Sequence, residues 1–108
     1  MTAMLILNAD SEKTDLLSFL DFRNITPITF TTSGSALAAL KADYYRYVIV
    51  SMDITREDPL EIMRRFRLTE QELGLPHAQL IAIGQHNQPS ASDIKKYKIS
   101  GVIRPHHL

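Results

Sequence analysis

Tyr47-Val48-Ile49-Val50-Ser51-Met52-Asp53 is an apolar run closed by a carboxylate. Its largely apolar make-up and β-branched content predict a strand covered on both faces, as in the middle of a parallel sheet. A carboxylate at the end of such a strand points into the crevice where open α/β sheets place their ligands. Asp53 is therefore the leading candidate functional residue.

The flanking segments alternate between strand and helix patterns. Upstream, Ser35 to Tyr44 sets Leu37, Leu40 and Tyr44 on one helical stripe. Ile25 to Thr31 alternates apolar residues and threonines around Pro27, and a proline, having no N–H to donate, places that strand at a sheet edge. Ser11 to Phe22 carries Leu16, Leu17 and Leu20 at helical spacing, and Met4-Leu5-Ile6-Leu7 is a second continuous apolar run. Downstream, Asp58-Pro59-Leu60-Glu61 has a capping carboxylate, a proline at the first helical position and a glutamate three residues after the cap. Ile62, Met63 and Phe66 form the inward stripe of that helix, and Gly74 and Pro76 end it. Gln79 to Ile83 reads as a fourth strand, and the residues from Gly84 to Ser92 as an extended polar loop. Ser92 to Lys98 reads as a short polar helix, and Val102-Ile103 as a brief fifth strand before Arg104-Pro105. Five strands with intervening helices predict a single α/β domain over residues 1–108, a parallel sheet with right-handed crossovers. An edge second strand fits the flavodoxin-like order 2-1-3-4-5.

Composition excludes several function classes. The 108 residues carry 12 basic and 12 acidic side chains, so bulk charge favours neither nucleic acid nor an acidic membrane. There is no cysteine, which rules out disulfides and thiolate metal sites and fits a cytoplasmic protein. The apolar run at Met4 is too short for a signal-peptide core, and no segment has the length of a membrane span. No glycine-rich phosphate loop follows the first strand, against a dinucleotide-binding enzyme. His77, His86 and the adjacent His106 and His107 lack the spacing of a metal site. Arg64, Arg65 and Arg67 read as a solvated basic helix face, and Tyr44, Tyr45 and Tyr47 as packing or interface residues.

Four stretches carry a family likeness: Gly34-Ser35-Ala36-Leu37-Ala38-Ala39-Leu40-Lys41, Val48 through Ile54, Leu60-Glu61-Ile62-Met63-Arg64-Arg65-Phe66-Arg67, and Arg104-Pro105. In this order and spacing the chain resembles the receiver domain of two-component response regulators over nearly its whole length. The resemblance implies the CheY-like α/β/α sandwich, with Asp53 in the place of the phospho-accepting aspartate. It also exposes departures. Where the family has two adjacent acidic residues that help hold Mg2+, this chain has Asn8 and Ala9. Asp10 follows, as a helix cap or a substitute metal ligand. Gly84 stands where receivers keep a serine or threonine, and glycine has no side-chain hydroxyl. Gly101 falls near the family's aromatic position. Arg104 replaces a lysine with a planar fork that either pairs with Asp53 or is solvated beside Pro105. Glu57 and Asp58 lengthen the loop after Asp53 and add negative charge that would oppose an anionic donor.

These residues imply an atypical receiver, a pseudo-receiver that serves as a regulatory protein-interaction module rather than an enzyme. It would have weak or no phosphorylation and no cofactor. Its partner would be another protein or an attached output domain, with no direct nucleic-acid or membrane contact. One alternative is a working phospho-receiver in which Asp53 is the nucleophile and Asp10 and Asp53 hold Mg2+. A second is a small flavodoxin-like ligand-binding protein using the same crevice. The family continues into a fifth helix where this chain stops at Leu108. The expectation is therefore a missing or incomplete fifth helix and an open sheet face beside Val102 and Ile103. That face would be covered by the rest of a longer protein or by a second copy through the fifth-strand side.

Overall fold

The Tyr47 run is the middle strand of a five-stranded parallel sheet in the computed structural model, which describes residues 2–8, 16, 20 and 24–104. The strands are β1 (Thr2–Ile6), β2 (Thr26–Phe30), β3 (Tyr47–Ser51), β4 (Gln79–Ile83) and β5 (Ile99–Ile103), in the order β2-β1-β3-β4-β5. Three helices are described from end to end: α1 (Ser33–Ala42), α2 (Pro59–Leu73) and α3 (Ala91–Tyr97). β2, with Pro27, lies at an edge as its missing donor requires.

Alternation along the strands sorts the core into two layers. Met4, Ile6, Val48, Val50, Leu80 and Ala82 face α1 and α2, which contribute Ala36, Leu40, Ile62, Met63 and Phe66. Ala3, Leu5, Ile49, Ile81 and Ile83 line the opposite face, where Leu16 and Leu20 pack. Those two leucines are helical and fully buried; the rest of the helix expected from Ser11 to Phe22 lies outside the described residues. No helix among the described residues is long and apolar enough to cross a membrane.

Local chemistry sets the element ends. Thr32 caps α1, its side chain accepting from the Ser35 N–H. Asp58 caps α2 by accepting from the Leu60 N–H, with Pro59 at the first helical position. Gly74, at φ 65°, closes α2 in the left-handed conformation that glycine adopts without steric cost. Glu61 does not complete the expected capping box: its carboxylate turns to Arg64 one turn on. The reciprocal box forms instead at α3, between Ser90 and Asp93. Tyr44 departs from its expected helical stripe. Asp43 ends α1, so Tyr44 lies beyond the helix and is exposed, while Tyr45 enters the core. β5 is longer than Val102-Ile103 suggested, because a register shift opposite Leu80 and Ile81 lets Ile99 reach the core.

Candidate functional site at the end of the central strand

Asp53 lies just past β3, where the Met52 N–H donates to the Ile83 carbonyl at 2.7 Å and carries the ladder one residue further. Its carboxylate is engaged on both oxygens. Oδ2 accepts from the Gln85 N–H at 2.8 Å. Oδ1 accepts from the Asn87 N–H at 2.9 Å, the Asn87 Nδ2 at 3.0 Å and the His86 N–H at 3.2 Å. Three successive backbone N–H groups aimed at one anion form a nest, the arrangement by which loops bind phosphate. Here the resident anion is the chain's own aspartate. Burial pushes the Asp53 pKa up, and the bonds from Gln85, His86 and Asn87 more than reverse this, leaving it below the ordinary value.

Gly84 makes the closure sterically feasible. A Cβ at this position would stand 2.0 Å from the Asn87 carbonyl oxygen and 3.1 Å from the Met52 Cβ. The residue is thus more than a lost hydroxyl: it admits the backbone of Asn87 into space a side chain would fill. The Gln88 side chain donates back to the Gly84 carbonyl, and Pro89 is buried, so the turn is held from both ends.

The loop after Asp53 is tied down by its own charges. Arg56 donates to the Leu7 carbonyl at 3.0 Å and the Thr31 carbonyl at 2.9 Å, spanning the ends of β1 and β2. Glu57 accepts from the Ser33 N–H at 3.0 Å and from the Ser33 hydroxyl; the hydroxyl bond, then the backbone bond, hold its pKa below the usual range. The two acids expected to oppose an anionic donor at Asp53 are therefore committed to the starts of α1 and α2.

The other sequence candidates are dispersed. Asn8 is exposed at the end of β1, and Ala9 and Asp10 lie outside the described residues, as do His106 and His107. Arg104 is exposed and forms no ion pair with Asp53, whose donors come from the Gly84–Asn87 turn instead; the expected pairing is not made. Gly101 pairs with Ile81 across the β4–β5 ladder and leaves open space where an aromatic side chain would stand. Beside it, Tyr47, Ile81, Val102 and Ile103 line a groove of about 390 Å3, and Val102 is 39% exposed. Among the described residues, no group of three His, Cys, Asp or Glu side chains could hold a metal ion.

Arg67 also differs from its expected solvated place. It donates to Glu70 at 2.8 Å and to the carbonyls of Ala78, Tyr97 and Lys98 at 2.9–3.0 Å. Glu70 is 1% exposed and accepts from the Ala78 N–H at 2.6 Å. This pair, Glu70 buried and Arg67 half-buried, clamps α2 to the entry of β4 and the end of α3. The sequence signal was Glu70 itself, a carboxylate one turn beyond Phe66 on the inward stripe, which needs a cation within reach.

No protein-family model matches the sequence, and no curated protein matches it. Solved structures do. A two-component response regulator from Clostridium difficile superposes with a TM-score of 0.75 at 11% identity, over 100% of this chain and 84% of the other. The chemotaxis protein CheY4 of Vibrio cholerae gives 0.76 at 10% identity, over 99% and 88%. A mutant receiver domain of the histidine kinase CKI1 from Arabidopsis thaliana gives 0.76 at 13% identity, over 96% and 80%. With the sheet order observed, this chain has the CheY-like fold of response-regulator receiver domains.

Proposed function

We propose that the protein is an atypical receiver, a pseudo-receiver acting as a regulatory protein-interaction module of two-component-type signalling with weak or no phosphorylation. The observation that carries this reading is the closure of the Gly84–Asn87 turn on Asp53. A phospho-acceptor needs a free carboxylate oxygen to attack phosphorus and room for the incoming group. Here both oxygens are engaged by N–H donors, and the backbone of Asn87 occupies the space beside Gly84.

The described residues do not fit a divalent cation at Asp53. Mg2+ seeks anionic oxygens with accessible lone pairs, and those of Asp53 face the positive ends of four N–H groups. Asn8 offers at most a neutral carbonyl. Asp53 is then a latch that holds the β4–α3 loop in one conformation, and the module is not itself an enzyme.

Its partner is a protein or an attached output domain. A receiver of the same fold, that of yeast Ssk1, has been solved with the histidine phosphotransfer protein Ypd1, at a TM-score of 0.72 and 12% identity to this chain. The groove beside Val102 adds a surface for self-association through β5. Absence of cysteine suits a cytoplasmic setting. Titration with Mg2+ and beryllofluoride, read on the amide resonances of Gln85, His86 and Asn87, tests the reading. Unmoved resonances are expected; saturable shifts at these amides would establish a working phospho-receiver instead.

A further inference from the structure

A second feature lies away from Asp53, in a cleft of about 540 Å3 between α2 and α3. Its charge is one-sided: Arg64, Arg67, Lys96 and Lys98 line it beside His77, and no carboxylate does. The two arginines are neutralised by Glu61 and Glu70, whereas neither lysine forms an ion pair with any described residue. Lys96 stands 5.4 Å over the Tyr97 ring, so the cation and an aromatic surface are presented together. Leu68, 42% exposed, supplies an apolar wall opposite.

The backbone adds an independent observation. Lys98 closes α3 at φ 53°, in the left-handed region where glycine is the favoured residue. Its carbonyl is fixed by Arg67, which also holds the Tyr97 carbonyl. A lysine is thus held, at a conformational cost, on the rim of a cationic cleft whose wall is anchored by a buried clamp.

We propose that this cleft docks an acidic peptide segment of a partner protein, its carboxylates meeting Lys96 and Lys98 and one large apolar side chain resting on Leu68 and Tyr97. The inference rests on the reading of the chain as an interaction module, but no residue of the Asp53 latch takes part. Loss of the latch and loss of docking are therefore separable.

The test is fluorescence anisotropy with a short labelled peptide of alternating glutamate and leucine, at low and physiological salt. Binding that weakens with salt is expected. Lys96→Glu combined with Lys98→Glu should weaken it about tenfold or more, since each pair turns from attraction to repulsion. Lys98→Gly is the second variant: it relieves the left-handed backbone, so it should bind more weakly while remaining at least as stable. An unaltered affinity in both variants would overturn the proposal. So would equal binding of a glutamine–leucine peptide, or tighter charge-dependent binding of a single-stranded oligonucleotide.

Discussion

Substituting Gly84 by serine restores the hydroxyl-bearing residue of ordinary receivers and, on this structure, breaks the latch. The new Cβ would lie 2.0 Å from the Asn87 carbonyl oxygen, whereas real Cβ atoms essentially never approach closer than 3.0 Å. The Asn87 backbone must then retreat by about 1 Å. Its N–H and side-chain amide, at 2.9 and 3.0 Å from Asp53 Oδ1, would pass beyond about 3.5 Å, where hydrogen bonds fail. Bonds to a charged group contribute about 1.5–3 kcal/mol each when buried. These donors are exposed, and water replaces part of that, so two lost bonds should cost about 2 kcal/mol. Urea unfolding followed by far-ultraviolet circular dichroism would register this as a midpoint lowered by about 1–2 M at a slope of about 1–2 kcal/mol/M. Asp53→Asn should also destabilise, and the double variant should lose less than the two single losses together, because both act on the same bonds. A Gly84→Ser protein as stable as the parent, or losses that simply add, would refute the reasoning.

Further outcomes follow from the same contacts. Asp53 and Glu57 titrate below their ordinary values in the folded protein, so the stability they add is complete above the unfolded carboxylate value of about 4 and is lost as pH falls through their folded values. Asp53→Asn with Glu57→Gln should flatten the fall in urea midpoint on acidification; an unchanged slope would contradict this. Arg67→Met strands the buried Glu70 carboxylate and should cost about 3 kcal/mol, with a loss under about 1 kcal/mol showing that the clamp is not structural. Arg56→Met removes two bonds to strand-end carbonyls, so the amides of Thr55 to Asp58 should exchange faster with deuterium for a stability loss of about 1 kcal/mol. Unaltered exchange there would assign the loop's order to Glu57 and Asp58 alone.

Legibility from the chain tracked the range of the interactions. The Tyr47 run, the edge placement of the Pro27 strand and the Asp58-Pro59 helix start rest on local rules, and each stands in the structure as read. Tyr44 lies off the helical stripe that periodicity predicts, because periodicity alone does not locate the end of α1, which Asp43 sets. The Asp53 position was readable, but its state was not. Its donors lie 32–34 residues further on, and only the fold brings them together. The signal in the sequence is Gly84 before the polar Gln85-His86-Asn87 segment, a glycine where backbone can approach closely as well as a missing hydroxyl. Arg67 looks solvated beside Arg64 and Arg65 in the sequence, yet its three-residue spacing to the inward Glu70 carries the clamp.

Whether Asp53 is a latch or an acceptor is tested most directly by intact-mass analysis after incubation with acetyl phosphate and Mg2+, beside an Asp53→Ala control. The account predicts an unmodified mass for the folded parent protein. A species one phosphoryl group heavier that disappears in the control would contradict it.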